Sequence, residues 1–185
     1  MIVASRAGWI GKINSNSTTI SNQANFEIVG SDSVGVRDYE CSLDSGKWNR
    51  IDHLDVEKNV CQYSQLPDGT HIFESRAIDK YGNVDNSPST FNWTVTSIDE
   101  GIQEIINLIS ANLTETETKN FDLPLVESQK LLTNTDDYSK LTICYNMDTF
   151  LNEINDLSLH DKLDKPHINQ LVISTLSIKD RLTCV

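Results

Sequence analysis

The segment Leu66-Pro-Asp-Gly-Thr-His-Ile-Phe-Glu-Ser-Arg-Ala77 predicts a tight turn followed by a β-strand. Proline, aspartate and glycine in succession are typical of a turn, because proline fixes φ and glycine accepts positive φ. From His71 onward, the alternate positions Phe73, Ser75 and Ala77 are apolar or small. A period of two places these side chains on one face of a strand, which indicates that this face is buried.

Short alternating runs separated by turn residues surround this segment between residues 10 and 96. Tyr39-x-Cys41-x-Leu43 alternates before the turn Asp44-Ser-Gly46, and residues 47–51 can return as the partner strand of a hairpin. Phe91-x-Trp93-x-Val95 later points three apolar side chains to one face. Six or seven such strands predict a β-sandwich over residues 21–97, with residues 1–20 as an N-terminal arm or edge strand.

Residues 98–185 follow the period of an α-helix instead and predict four helices joined by short links. Ser97 and Glu100 form the capping-box pattern that begins the first helix. The apolar stripe of that helix is Ile98, Ile102, Ile105, Ile106 and Ile109. Four stripes of this kind predict an all-α antiparallel bundle over residues 98–185.

The other three helices are expected as follows. The second covers about residues 121–133, with Pro124 near its first turn and Val126, Leu131 and Leu132 as its apolar positions. The apolar positions of the third are Leu141, Cys144, Met147, Phe150, Leu151 and Ile154. The fourth begins near Pro166, and its stripe is Ile168, Leu171, Val172, Thr175, Ile178 and Leu182.

The composition restricts the class of protein. Of the 185 residues, 38% are apolar and 23% are charged, so the chain can form cores and is not compositionally disordered. Its formal net charge of −12 repels phosphate backbones and anionic lipid heads, which argues against nucleic acid as a partner. No apolar run approaches the roughly 20 residues of a membrane-spanning helix. We therefore expect an acidic, two-part protein without a membrane span.

The four cysteines predict disulfides. Cys41, Cys61, Cys144 and Cys184 form no C-x-x-C pair, which weakens zinc and thioredoxin-like interpretations. Two fall in each half, which suits one disulfide per domain, and four buried free thiols are the alternative. Cys144 is expected near the start of the third helix and Cys184 just past the end of the fourth. These ends lie side by side in an antiparallel hairpin, so a bridge there would stabilise the bundle by about 2–4 kcal/mol.

Export is also suggested by N-glycosylation sequons at Asn16, Asn92 and Asn112, although a chain rich in Asn, Ser and Thr produces a few by chance. The alternation of the last strand puts Asn92 on its solvent side. The first ten residues lack the basic and apolar regions of a secretory signal. We expect that residue 1 is not the native start, or that the chain is a fragment of a larger exported protein.

Five motifs of the first half occur in a fixed order: Tyr39-Glu-Cys-Ser-Leu-Asp-Ser-Gly-Lys-Trp48, Leu66-Pro-Asp-Gly-Thr-His-Ile-Phe73, Arg76-Ala-Ile-Asp79, Tyr81-Gly-Asn-Val-Asp85 and Phe91-Asn-Trp-Thr-Val95. Over about residues 24–96 the chain resembles the Ig-like repeats of bacterial and archaeal surface proteins. The resemblance implies a Cys41–Cys61 disulfide. The chain departs from the family pattern in two ways. In the family the second cysteine comes sooner, at the place of residues 49–52 here, and the family's proline-rich first strand is absent from this chain.

The second half resembles the FIMAH domain, a small C-terminal module of secreted archaeal and bacterial proteins. The resemblance is carried by Ile102-x-x-Ile105-Ile106-x-Leu108-Ile109, by residues 144–155 and by Ile178-Lys-x-x-Leu-Thr-Cys184. An Ig-like repeat followed by this module is associated with archaeal surface proteins, including those of ammonia-oxidising lineages. The resemblance therefore implies an exported, non-catalytic chain that works at the cell surface or outside the cell.

Two local patterns suggest roles for single side chains. Residues 66–71 resemble the tyrosine corner of sandwich domains, so a ring nitrogen of His71 is expected to bond to the upstream backbone. Asp79, Asn83 and Asp85 are grouped around a turn, and their oxygens suit a calcium ion. Their spacing is not that of an EF-hand, and turn formation alone is the alternative. No other cofactor is predicted.

Three functions follow as hypotheses. The first is a non-catalytic structural and binding module of an exported archaeal or bacterial protein, with a protein or glycan partner at the cell surface. The second is a subunit of an extracellular filament or lattice, in which residues 1–20 add a strand to the sheet of a neighbouring copy. The third is an accessory carbohydrate-binding module, for which exposed coplanar aromatic rings near Trp48 are the expected sign. No enzyme is predicted, because neither H-E-x-x-H nor G-x-S-x-G occurs.

Overall fold

The computed structural model describes residues 2–5, 15–51, 59–134, 136–159 and 163–184. Strands come first along the chain and four helices follow, as the sequence predicts. The strands are β1 (Ile2–Ser5), β2 (Ser17–Thr19), β3 (Ala24–Gly30), β4 (Val36–Leu43), β5 (Asn49–Arg50), β6 (Val60–Tyr63), β7 (Gly69–Asp79) and β8 (Ser89–Val95). The helices are α1 (Ile98–Asn112), α2 (Glu115–Leu131), α3 (Asp137–Leu159) and α4 (Lys165–Arg181). Met1–Val95 and Thr96–Val185 form two compact units, the strand unit and the helical unit.

The strands form two sheets. One sheet has the order β1-β3-β6 and the other the order β2-β8-β7-β4-β5. Neighbouring strands are antiparallel except β2, which runs parallel to β8 with Ser17 opposite Trp93. Strands β1 and β2 therefore lie at the edges of two different sheets of their own chain.

Phe26 and Phe73 join the two sheets in one core. Phe26 lies on β3 and Phe73 on β7, and their rings stack with centroids 3.8 Å apart. The buried side chains around this pair come from both sheets and include Ala24, Ile28, Tyr39, Cys41, Cys61, Leu66, Trp93 and Val95. On β7, His71, Phe73 and Ser75 are buried while Ile72 is exposed, which is the alternation that the sequence predicts.

The turn between β4 and β5 fixes the hairpin. Asp44 and Ser45 have φ values of 52° and 58°. The backbone N–H of Gly46 donates to the carbonyl oxygen of Leu43 at 2.9 Å. Two successive residues with positive φ define a type I′ turn, whose twist matches that of the flanking strands. This turn also places the Asp44 side chain beside β7.

Helices α1 and α4 begin where the sequence predicts. The Ser97 side chain accepts from the backbone N–H of Glu100, and the Glu100 carboxylate accepts from the backbone N–H of Ser97, which completes the capping box. Asp164 caps α4 by accepting from the backbone N–H of His167 at 3.0 Å, with Pro166 in the first turn. The buried residues of α1 include Ile102, Ile105 and Ile109.

Helix α2 begins at Glu115 rather than near residue 121, so Pro124 lies inside the helix and not in its first turn. An internal proline removes one helical N–H donor, which leaves the helix dependent on other contacts. The Ser128 hydroxyl and the Asn146 side-chain amide both donate to the Pro124 carbonyl oxygen, at 2.8 and 3.2 Å. Val126, expected in the apolar stripe, is exposed, whereas the buried apolar positions of α2 are Phe121 and Leu125.

The predicted inward face of α3 is confirmed at Met147, Phe150 and Ile154 but not at Leu141. Leu141, expected in the core, is 68% exposed. The buried apolar residues are Ile143, Met147, Phe150 and Ile154. The difference at Leu141 arises because α3 carries a second apolar stripe on its outer side, and periodicity alone does not decide which of two stripes faces the core.

Carboxylates at the starts of α3 and α4 make the helical unit sensitive to acid. Hydrogen bonds from the backbone N–H of Ser139 lower the pKa of Asp136, and those from the backbone N–H of His167 lower the pKa of Asp164. The folded unit therefore binds fewer protons than the unfolded chain, so this stabilisation is complete at neutral pH and is lost as the pH falls below about 4.

Asp164→Asn, which keeps the capping oxygen but not the charge, is expected to lose less thermal stability than the parent between pH 7 and pH 3. The measurement is thermal unfolding followed by ellipticity at 222 nm. Equal losses in Asp164→Asn and the parent protein would contradict this role of the Asp164 charge.

Candidate functional site

His71 is held by both ring nitrogens. Its Nδ1 lies 2.8 Å from Oδ2 of Asp44, and its Nε2 lies 2.8 Å from the carbonyl oxygen of Pro67. The other Asp44 oxygen accepts from the backbone N–H of Ile72 at 2.8 Å. His71 is buried, so it ties the β4–β5 turn to the start of β7 and bonds back to the upstream backbone as the sequence predicts. It is a structural residue.

We expect His71→Ala to lower the free energy of unfolding of the strand unit by about 1–3 kcal/mol, because it removes a buried ring together with its contacts to Asp44 and to the Pro67 carbonyl oxygen. Thr70→Ala, one residue earlier, is the matched control: it removes only an exposed hydrogen bond to the Thr94 hydroxyl at 3.1 Å and is expected to change the free energy of unfolding by less than about 1 kcal/mol. Urea unfolding followed by tryptophan fluorescence measures both. A His71→Ala variant as stable as Thr70→Ala would contradict this role.

An acidic cleft of about 510 Å³ lies in the strand unit. It brings together all three residues that the sequence suggested as calcium ligands, Asp79, Asn83 and Asp85, and adds Asp32. The remaining lining residues are Ser31, Ala77, Val84, Ser87 and Ser89. Asp32 was missed because only the fold brings its turn beside the β7–β8 connection.

The carboxylates of this cleft accept hydrogen bonds from residues of the turns in which they lie. Oδ1 of Asp79 accepts from the backbone N–H groups of Tyr81 and Asn83 at 2.8 Å each, and its Oδ2 accepts from the Asn83 side-chain amide at 2.7 Å. The Asn83 amide is the main reason that the pKa of Asp79 is lowered. Asp85 accepts from the hydroxyl and the backbone N–H of Ser87, which lower its pKa in the same way.

The chemistry available to the cleft is that of a negatively charged surface. Hydrogen bonds to the ionised forms keep Asp79 and Asp85 charged at neutral pH, and Asp32 accepts from the backbone N–H of Val34 at 2.8 Å. Across the described ranges, no group of three His, Cys, Asp or Glu side chains is arranged to hold a metal ion. The geometry of Asp79, Asn83 and Asp85 is accounted for by turn formation.

Trp48 is covered on one ring face by a charged side chain. Cζ of Arg76 lies 4.0 Å from the centroid of the Trp48 ring. Nε and one terminal nitrogen of Arg76 each lie 2.8 Å from Oε2 of Glu40, its cross-strand neighbour. A cation–π contact of this kind occupies one of the two ring faces on which a sugar could stack.

The other described histidine is also engaged. Nδ1 of His167 lies 2.5 Å from Oδ1 of Asp164 at the start of α4. His53 and His160 lie outside the described residues, as does Trp9.

The three sequons differ in accessibility. Asn16 is exposed in the turn before β2, and Asn112 is exposed at the end of α1, where its side-chain nitrogen donates to the Leu108 carbonyl oxygen at 2.7 Å. Asn92 is half-buried, and its Oδ1 is shielded from solvent. The turn at residues 15–16 pairs with the edge of β8 at this position, where the Asn16 N–H donates to the Asn92 carbonyl oxygen at 2.7 Å.

All four cysteines are bonded in pairs, one pair in each unit. Cys41 on β4 is joined to Cys61 on β6, 20 residues later, so this bridge links the two sheets. Cys144 on α3 is joined to Cys184, 40 residues later and just past α4. The second bridge places the first half of α3 beside the end of α4.

No helix within the described ranges has both the length and the apolar character needed to cross a membrane.

Comparisons with known proteins give only remote similarities. No protein-family model matches the chain, and no curated protein matches it. The fibronectin(III)-like modules of CbhA from Clostridium thermocellum are 16% identical with a TM-score of 0.38, over 52% of this chain and 97% of that one. The extracellular domain of a hybrid two-component system from B. thetaiotaomicron is 16% identical with a TM-score of 0.40, over 52% of this chain and 15% of that one.

A family 76 glycoside hydrolase from a bovine Bacteroides thetaiotaomicron strain is 9% identical with a TM-score of 0.36, over 95% of this chain and 51% of that one. These similarities are remote, so the function is inferred from the side chains of this chain alone.

Proposed function

We propose that the chain is a non-catalytic structural and binding module that works outside the cell or at its surface, as part of an exported archaeal or bacterial protein. Its strand unit is an Ig-like β-sandwich, supported by the two sheets that share the Phe26–Phe73 core. Its helical unit is a FIMAH-like antiparallel bundle, supported by the bridge between α3 and the end of α4.

The single observation that carries this proposal is one disulfide within each unit, with no cysteine left over. Disulfides form and persist in oxidising compartments and are rare in the cytosol of most cells. Units of roughly 90 residues also have small cores, for which a covalent link contributes a useful share of the stability.

The partner is a protein or a glycan at the cell surface. The net charge of −12 opposes binding to nucleic acid and favours a partner that presents cations or neutral polar groups. Assembly by strand addition has less support, because β1 and β2 pair with β3 and β8 of their own chain and would have to leave those sheets first.

We expect glycans on Asn16 and Asn112 but not on Asn92, because a glycosylated amide must be exposed and the Asn92 side chain is half-buried. Peptide mapping of native material by mass spectrometry measures all three sites. Thr18→Ala breaks the first sequon without changing its asparagine and is expected to remove that glycan alone. A glycan on Asn92, or bare Asn16 and Asn112 peptides, would contradict the assignment.

Labelling of intact native cells tests the proposed location. A membrane-impermeant amine reagent is expected to modify exposed lysines such as Lys47 and Lys80 before the cells are lysed. A cytosolic protein of the same cells serves as the control and should stay unlabelled. Labelling of the chain only after lysis would overturn the proposal.

A further inference from the structure

Helix α3 has a second apolar stripe on its outer side. Tyr138, Leu141 and Tyr145 are 78%, 68% and 71% exposed. Their spacing of three and then four residues puts them on one face of the helix, over about two turns. We call these three residues the α3 stripe.

The fold does not use the α3 stripe. The inward face of the helix is already filled by Ile143, Met147, Phe150 and Ile154, each at most 2% exposed. Scattered exposed apolar residues are ordinary on a protein surface, but a contiguous group of large ones marks an interaction site. Tyrosine is among the residues enriched in protein interfaces, because its rigid ring buries a large area at low entropic cost.

The net charge around the α3 stripe is negative. The helical unit has 15 aspartates and glutamates against seven lysines and arginines. Asp137 directly precedes the stripe, and Asp156 lies 11 residues after its last tyrosine, close to three full turns and so on the same side of α3. Helix α3 itself carries four carboxylates, Asp137, Asp148, Glu153 and Asp156, against one lysine, Lys140, so its net charge is negative.

We propose that the α3 stripe docks an amphipathic helix of a partner protein whose apolar face is bordered by lysine or arginine. Apolar side chains at i, i+3 or i+4 and i+7 of such a helix match the spacing of the α3 stripe. Its cations complement the net negative charge of α3, which gives orientation and faster association. A second copy of this chain is a poor occupant, since two helical units with an excess of eight negative charges each repel one another.

This inference deepens the proposed function and rests on it in one respect, that the chain is a binding module. The extracellular location is tested separately, by cell labelling and by the state of the cysteine thiols. Failure of the docking proposal therefore does not imply failure of the proposed location, and the reverse also holds.

The test uses two synthetic amphipathic peptides of about five helical turns with identical leucine positions. One carries lysine and the other glutamate on the polar face. Each is titrated against the full oxidised chain, against Tyr138→Ser/Leu141→Ser/Tyr145→Ser, and against the control Tyr81→Ser/Leu176→Ser. The control removes two exposed apolar side chains that lie outside α3.

The lysine peptide is expected to bind the parent and the control with equal affinity and the α3 stripe variant about tenfold or more weakly. The glutamate peptide is expected not to bind. Thermal unfolding checks that the variants fold. If the triple variant does not fold, Tyr145→Ser alone is the second test, and it is expected to weaken binding of the lysine peptide severalfold.

Four results would overturn the proposal. One is binding of neither peptide, and another is equal binding of the lysine peptide to the parent and the α3 stripe variant, which would mean attraction by charge alone. The third is self-association of the parent that the α3 stripe variant loses, which would assign the stripe to a second copy. The fourth is stripe-dependent binding to phosphatidylcholine vesicles, which would assign it to a lipid surface.

Discussion

Phe73→Ala is expected to lower the free energy of unfolding of the strand unit by about 3–5 kcal/mol, because it removes a fully buried ring that stacks on Phe26 of the other sheet. Phe73 is fully buried at the centre of the five-stranded sheet. Its ring stacks on Phe26 and meets the edge of Tyr63, with centroids 6.2 Å apart. The alanine variant therefore loses its buried area and leaves a cavity between the two sheets.

Ile72→Ala is the matched control, because Ile72 is the preceding residue of β7 and points to solvent. Ile72→Ala is expected to lower the free energy of unfolding of the strand unit by less than about 1 kcal/mol. All three tryptophans of the chain lie in residues 1–95, and the Trp93 ring is 5.4 Å from that of Phe26, so tryptophan fluorescence during urea unfolding reports the strand unit. If Phe73→Ala were no more costly than Ile72→Ala, the shared core of the two sheets would be contradicted.

Removal of the Cys144–Cys184 bridge by the double substitution to alanine is expected to lower the stability of the helical unit by about 2–4 kcal/mol. The bridge closes a loop of 40 residues, and the cost of closing a loop in the unfolded chain rises with its length. For a unit of this size the change corresponds to a fall in Tm of roughly 10–20 °C.

Ellipticity at 222 nm follows this transition, because the helical unit contains the four helices and no tryptophan. The reducing agent provides the control: a reduced parent and the double variant are expected to have the same helical transition. An oxidised parent that unfolds at the same temperature as the double variant would show that the bridge does not stabilise the helical unit.

The strand pattern could be predicted from the sequence wherever local chemistry decides the structure. Alternation from His71 to Ala77 identifies the inward side of β7, because a one-residue shift would expose Phe73. The Asp44-Ser-Gly46 turn is visible because aspartate, serine and glycine are typical turn residues. The short edge strands β1 and β2 carry no such signal, since their pairing depends on strands far away in the sequence.

The helical unit shows where periodicity is insufficient. The sequence pattern places the start of α2 too late, since proline is usual in a first turn and the contact of the Asn146 side-chain amide with the Pro124 carbonyl oxygen is tertiary. On α3, Leu141 and Ile143 both belong to regular apolar stripes. Only contact with the neighbouring helices determines which stripe is buried, and the outer one becomes the proposed docking surface.

The acidic cleft and its surroundings were partly predictable. Asp79, Asn83 and Asp85 could be identified because they are close in sequence and form one turn region. The Glu40–Arg76 pair over Trp48 could not be found, because it depends on the register in which β4 meets β7. Cross-strand neighbours follow from register, which no local motif of this sequence specifies.

The most direct test of the proposed extracellular role is the pairing of cysteines in native material, measured by mass spectrometry after alkylation without reduction. We predict no alkylated cysteine, with one cross-linked peptide pair containing Cys41 and Cys61 and another containing Cys144 and Cys184. Four alkylated thiols, a bridge between the two units or a bound zinc ion would contradict the assignment to an oxidising environment outside the cytosol.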